Sequence, residues 1–206
     1  MMKSTNEVVW QTSTVSRQQR EQRYAQRGRV LWLTGLPAAG KTTLAFALEQ
    51  ELFRQGRMCY VLDGDNIRHG LNADLGFSQQ DRRENLRRIG EVCKLFLDAG
   101  HIVIAAFVSP YAQDRDRVRE LFAAEDFAEI HVACPLEVCE LRDPKGMYAR
   151  ARAGEIAHFT GVDAPYEQPQ SPELVINTEI LSVQEAVMLM VETLELGAAP
   201  EEATLL

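Results

Sequence analysis

The chain has 206 residues, with 22 Lys and Arg against 30 Asp and Glu and a formal net charge of −8. That length suits one domain with short tails and can bury a real core, but the acidic balance gives no global positive field for nucleic acid or an anionic membrane, so an anionic ligand must be held by local arginines. No apolar run approaches the ~20 residues of a membrane span and the first residues are polar rather than signal-like, so a cytoplasmic protein with no membrane or nucleic-acid partner is expected.

Residues 1–28 are rich in Gln, Arg, Ser and Thr and too poor in apolar side chains to build a core. They read as an N-terminal arm, disordered or carrying one short helix around Ser16 to Gln26. Arg20, Arg23, Arg27 and Arg29 are interrupted by Glu21 and by glutamines, the pattern of a solvated helix face rather than a basic patch. From Val30 short β-rich runs alternate with helical ones. Leu31 to Thr34 is predicted as the first strand, and Thr43 to Gln55 as a helix stopped by Gly56. Met58 to Leu62 is the second strand, apolar throughout as expected where both sheet faces are covered. Ser78 to Ala99 is a helix entered through Ser78 with Asp81 three positions on. His101 to Val108 is the third strand, Asp114 to Phe122 a helix, Ala128 to Cys134 the fourth strand and Leu136 to Asp143 a short helix. Leu174 to Asn177 is the fifth strand and Val183 to Leu196 the last helix. Five strands separated by crossover helices predict a parallel sheet in a three-layer α/β domain over residues 29–197, with 198–206 as a flexible tail. Over about 143–171 the periodicity fails and Gly146, Gly154, Gly161, Pro165 and Pro169 mark a long loop, the usual form of a lid. Cys59, Cys93, Cys134 and Cys139 form no Cys-x-x-Cys pair and no cluster with a histidine, so reduced thiols are expected rather than a zinc site.

The stretch Gly35-Leu36-Pro37-Ala38-Ala39-Gly40-Lys41-Thr42 fits the pattern Gly, four residues, Gly-Lys-Ser/Thr. It sits between an apolar strand and a helix beginning at Thr43, where that pattern has a mechanism. Strand, tight turn and helix N-terminus aim consecutive backbone N–H groups at one point, with the positive end of the helix dipole behind them. That is a cradle for a polyphosphate. Lys41 reaches the outer phosphates as a point charge, and the Thr42 hydroxyl stands where a Mg²⁺ ion bridging them needs a ligand.

Ligands of open parallel sheets bind outside the carboxyl ends of the strands. After the second strand comes Asp63-Gly64-Asp65-Asn66-Ile67-Arg68, two carboxylates, an amide and a guanidinium within reach of the same phosphates. A carboxylate there accepts a proton from an attacking hydroxyl or holds Mg²⁺ through water. Further on, Arg82 and Asn85 share one helix face and Arg83 and Arg87 another; guanidinium forks suit phosphate or sulfate oxygens, and an exposed Phe77 can stack on a base. Ser109, after the third strand, either caps a turn or acts as a nucleophile, which needs a nearby base.

In order along the chain, Asp63-Gly64-Asp65-Asn66-Ile67-Arg68-His69-Gly70-Leu71, Phe77-Ser78, Asp81-Arg82, Glu84-Asn85, Ser109-Pro110-Tyr111, Arg142-Asp143-Pro144-Lys145-Gly146 and Phe159-Thr160-Gly161 resemble the adenylylsulfate kinase family. The resemblance covers about Arg29 to Leu196. It implies a P-loop nucleoside triphosphate hydrolase fold with a five-stranded parallel sheet, cytoplasmic and homodimeric. It implies transfer of the γ-phosphoryl of ATP to the 3′-hydroxyl of adenosine 5′-phosphosulfate, with Mg²⁺, in sulfate assimilation. On the same basis Asp63 is the base facing that hydroxyl, Asp65 supports the site and, with Thr42, the metal, and Arg68, Arg82 and Asn85 hold the phosphosulfate. Phe77 and Phe159 sandwich the acceptor adenine, Lys145 meets phosphate as the lid closes, and Arg142 lies near the ATP base. The counterpart of Ser109 is a phosphorylated intermediate in some members, which makes Ser109 a candidate for that role; direct in-line transfer needs only a positioned hydroxyl and a base. The family loop usually reads Gly-Leu-Ser-Gly-Ser-Gly-Lys-Ser, so Pro37, Ala38 and Ala39 depart from it and imply a less flexible loop. A nucleotide switch is the rival of a different class, but its guanine-reading Asn-Lys-x-Asp pattern is absent. A kinase of the same fold acting on a sugar acid or nucleoside is the nearer rival, and the arginines after Phe77 favour a doubly anionic acceptor instead.

Overall fold

A computed structural model describes residues 8–197. The expected tail over 198–206 and the first part of the arm, 1–7, lie outside the described residues. Five strands form one all-parallel sheet: β1 (Arg29–Thr34), β2 (Cys59–Asp63), β3 (Ile102–Ala106), β4 (Phe127–Ala133) and β5 (Leu174–Asn177), in the order β2-β3-β1-β4-β5. β1 lies at the centre, with Val30 paired in register to Val103 of β3 and Phe127 of β4. Strand side chains alternate across the pleat. Leu31 and Leu33 accordingly enter one core layer, with Leu44, Leu48 and Leu52 of α2 (Lys41–Arg54) and Val187 and Met190 of α8 (Val183–Thr193). Val30 and Trp32 enter the other, with Leu86, Ile89 and Cys93 of α4 (Gln79–Asp98) and Val118 of α5 (Ala112–Arg119). Both faces of β1 are covered, which is why its sequence is continuously apolar.

The arm carries α1 (Arg17–Tyr24), which has no buried residue but is ion-paired to the domain. Arg17 donates to both oxygens of Asp126 at 2.5 and 2.7 Å, and Arg20 donates to Asp98 at 2.6 Å. The amide of Gln26 accepts from the Met58 N–H and donates to the carbonyls of Met58 and Gly100, stitching the arm to the sheet's N-terminal edge.

Two helices were not predicted. α3 (Gly64–Arg68) directly follows β2, and α7 (Met147–Arg152) stands inside the expected loop, after α6 (Leu136–Arg142). Neither has the length or the apolar stripe that marks a helix in sequence. Each is held by a carboxylate at its start: Asp63 accepts from the N–H groups of Asp65 and Asn66, and Asp143 from those of Met147 and Ala149. Ser78 caps α4 by accepting from Asp81 N–H, and Asp81 accepts from the Ser78 hydroxyl.

Candidate active site

The phosphate loop is shaped by close contact. A Cβ at Gly35 would stand 2.5 Å from the Val132 carbonyl oxygen of β4, so only glycine lets β1 leave the sheet there. Gly40 caps α2 at φ +100° and offers no side-chain acceptor, which leaves the first N–H groups of the helix free to face an anion. Ala38 adopts φ +59°, a left-handed conformation that a side chain disfavours by about 1–2 kcal/mol. This is the point where the loop departs from the family pattern. Ala38→Gly is expected to raise stability by up to about 1 kcal/mol, read as a higher melting temperature.

Lys41 is buried, and its Nζ donates to the carbonyls of Gly35 and Leu36 at 2.9 and 2.7 Å, curling back over the loop. Burial pushes its ammonium down to about 8. The Thr42 hydroxyl donates to Oδ2 of buried Asp63 at 2.8 Å, while Oδ1 of Asp63 takes the two α3 amides. Asp65, paired with Thr42 for the metal on the basis of the resemblance, instead lies exposed and in an ion pair with Lys145. The α3 turn swings it outward, and Asp63 is the carboxylate that reaches Thr42. The ion pair with Asp65 raises the pKa of Lys145.

Arg68 donates to the carbonyls of Leu75 and Gly76, both at 2.9 Å, and its guanidinium lies 4.4 Å over the ring of exposed Phe77. Arg82 donates to the Phe77 carbonyl at 2.9 Å, to the His158 carbonyl at 3.0 Å and to the Thr160 hydroxyl at 3.3 Å, which ties α4 to the 143–171 segment. Burial lowers the pKa of both arginines, and the charge of Arg82 lowers that of Arg68 further. Both guanidiniums are satisfied by backbone carbonyls and the Thr160 hydroxyl rather than by a carboxylate. Asn85 is buried beside them and accepts from Asn72. Phe159 is also buried, its ring edge-on to Tyr148 at 5.0 Å, so in the ligand-free chain it belongs to the core and does not face Phe77 as an open stacking partner. Arg83 is on the other side of α4, bound to buried Asp114 at 3.0 Å. A cavity of about 670 Å³ between α4 and α5 lies on that side, but its arginines, Arg83, Arg117 and Arg87, are already paired with Asp114 and Glu84.

Ser109 is buried at φ +38°. Its hydroxyl donates to Thr34 Oγ1 at 2.9 Å and accepts from the Trp32 indole at 3.2 Å. Thr34 spends its own proton on the Val108 carbonyl at 2.8 Å, so Tyr166 donates to it at 3.0 Å. None of these partners is a base.

Three residues that sequence reasoning did not single out hold the site together. The Tyr148 hydroxyl donates to the Pro37 carbonyl at 3.0 Å, seating α7 on the phosphate loop. Thr178, just after β5, donates to the Ala39 carbonyl at 2.8 Å and takes Arg142 on its own hydroxyl and carbonyl at 3.1 and 2.6 Å. Arg142 therefore flanks the loop through Thr178. Asp163 accepts from the N–H groups of His158 and Phe159 at 2.7 and 2.6 Å, and those bonds lower its pKa. A lone Tyr in a six-residue helix, or a lone Thr or Asp in a turn, carries no periodic signal that would have marked it.

The adenylylsulphate kinase family profile matches residues 27–177. An adenylyl-sulfate kinase of Geotalea uraniireducens is 55% identical over 192 residues, covering 93% of this chain and 92% of that one. The structure of the APS kinase of Mycobacterium tuberculosis in complex with AMPPNP and APS superposes with a TM-score of 0.79 at 48% identity, over 82% of this chain and 99% of that one. The hexameric APS kinase of Thiobacillus denitrificans gives 0.63 at 36% identity, over 85% of this chain and 29% of that one. The match spans the phosphate loop, the acids after β2, the arginines of α4 and the whole 143–171 segment, so the chain belongs to the adenylylsulfate kinase family.

Proposed function

We propose that the chain transfers the γ-phosphoryl group of ATP, in one in-line step, to the 3′-hydroxyl of adenosine 5′-phosphosulfate. The products are ADP and 3′-phosphoadenylyl sulfate, the activated sulfate donor of sulfate assimilation. The observation that carries the reading is Asp63, held rigidly by the α3 amides through one oxygen and placed 2.8 Å from the Thr42 hydroxyl of the phosphate loop through the other. Such a carboxylate stands where a hydroxyl approaching the γ-phosphate loses its proton.

Each remaining group acts on one part of the reaction. Gly35 to Thr43 and Lys41 hold the triphosphate, and Arg142 flanks the nucleotide side. Arg68, Arg82 and Asn85 hold the phosphosulfate, with Phe77 against the acceptor base. Phe159 completes the adenine sandwich if α7 and the 158–164 turn shift on binding. Lys145 exchanges Asp65 for phosphate as the segment closes. A hydroxyl and a carboxylate at 2.8 Å beside a phosphate cradle fit Mg²⁺, a hard cation that keeps most of its waters and takes few protein ligands. Thr42 would hold it, with Asp63 bonded behind the hydroxyl, and bound there it would neutralise the charge of the phosphates.

Ser109 serves as a structural hydroxyl in this reading. Ser109→Ala is expected to retain phosphoryl transfer and to lose on the order of 1 kcal/mol of stability with its hydrogen bond to Thr34. An obligatory phosphoserine would instead leave that variant inactive. We read the protein as a cytoplasmic homodimer; no helix among the described residues is long and apolar enough to cross a membrane, and assembly has support in the hexameric relative. The testing experiment offers ATP and Mg²⁺ with adenosine 5′-phosphosulfate, or with a sugar acid or nucleoside, and measures ADP. Product with adenosine 5′-phosphosulfate alone is expected; turnover of a rival acceptor, or none where ATP binds, contradicts the reading.

A further inference from the structure

Asn72 is fully buried in the 69–78 segment between α3 and α4, the segment that carries Phe77. The backbone there is held without its side chain: Asn72 N–H donates to the Ile67 carbonyl, Leu75 N–H to the Asn72 carbonyl, and Arg68 to the carbonyls of Leu75 and Gly76. The Asn72 amide makes a different contact. Its Nδ2 donates to Oδ1 of Asn85 at 2.9 Å, and its own Oδ1 has no partner among the described residues. An unpaired buried amide oxygen is a cost that native folds seldom carry without a function.

A primary amide has one accepting end and one donating end, and the two orientations of the Asn85 side chain have nearly the same shape. Only one of them suits an anion. With Oδ1 occupied by Asn72, the end of Asn85 left for a ligand is Nδ2, a two-proton donor. Turning both amides together would leave the two N–H donors of Asn72 unpaired in place of one acceptor, which favours the arrangement seen; without Asn72 the amide of Asn85 is free to turn and present oxygen to oxygen. We propose that Asn72 is a positioning residue, which fixes the amide of Asn85 so that its donating end faces the phosphosulfate of the acceptor. The inference rests on the assignment of Asn85 to that group given above.

The test measures KM for adenosine 5′-phosphosulfate and for ATP, and melting temperature, in Asn72→Leu, Asn85→Ala and the double variant. Leucine has the forked outline of asparagine and removes the unpaired oxygen but is bulkier, so a melting temperature close to that of the parent shows that the fold of Asn72→Leu is retained. Asn72→Ala serves as a second variant lacking the donor. Each single variant is expected to raise KM for adenosine 5′-phosphosulfate by about fivefold or more, with KM for ATP unchanged. The double variant is expected to be no worse than Asn85→Ala alone, because Asn72 acts only through Asn85. Normal KM in Asn72→Leu, multiplied losses in the double variant, or equal rises in both KM values overturn the positioning role while leaving the site intact. An unchanged KM for adenosine 5′-phosphosulfate in Asn85→Ala overturns the site assignment and the proposal together.

Discussion

Asp63→Asn is expected to lower kcat by about 10²-fold or more while the protein folds and binds ATP as before. Asparagine keeps an oxygen that accepts from the Asp65 and Asn66 N–H groups, so α3 stays capped. It loses the ability to take a proton from the acceptor hydroxyl, and it places an amide instead of a carboxylate beside Thr42. The fold is checked by thermal melting, ATP binding by calorimetry, and the chemical step by single turnover. Near-normal turnover in this variant would remove Asp63 from the mechanism.

Lys41→Met is expected to cost about 10²–10³-fold in kcat, the range found when one donor to developing charge is removed from a buried site. Methionine keeps the packing of the side chain but not the ammonium that now rests on the Gly35 and Leu36 carbonyls. The pH dependence adds a second readout. Burial holds Lys41 at about 8 instead of 10.5 in the ligand-free chain, and phosphates raise it again by favouring the charged form. ATP binding therefore takes up a proton above pH 8, and affinity falls by up to ~tenfold per unit as pH rises further. Calorimetry in buffers of different ionisation enthalpy detects that uptake; its absence at about pH 9 would contradict the assignment. For the ligand-free fold the sign is opposite. The depressed pKa destabilises the fold fully below pH 8, and this cost fades as pH rises from about 8 toward 10.5, where the unfolded chain also loses its proton.

What was legible in the sequence was what is encoded locally. The glycines, the lysine and the hydroxyl of the phosphate loop lie within one turn, and β1 and α2 announce themselves by an apolar run and a helical stripe. The 3.6-residue period separates Arg82 from Arg83, and the structure sends the first to the 158–160 turn and the second to Asp114. Errors cluster where distant parts of the chain decide the outcome. α7 is a short polar helix that exists because Asp143 caps it and Tyr148 reaches the Pro37 carbonyl, 111 residues away in sequence. The link from Thr178 to Ala39 spans 139 residues and has no local signature. Asp63 and Asp65 read alike on paper, and only the α3 turn assigns one to Thr42 and the other to Lys145. The arm's helix is exposed, as expected of a solvated face, and its ion pairs had no local signature because Asp98 and Asp126, far along the chain, face Arg20 and Arg17.

The central claim is a single transfer from a loop-held triphosphate to a hydroxyl facing Asp63, with Ser109 a bystander bonded to Thr34 and Trp32. The stereochemistry at phosphorus tests it most directly, with ATP made chiral at its γ-phosphorus by oxygen isotopes and adenosine 5′-phosphosulfate as acceptor. One in-line displacement predicts inverted configuration in the 3′-phosphate of the product. Retention, the signature of two displacements through a phosphorylated residue, would contradict it.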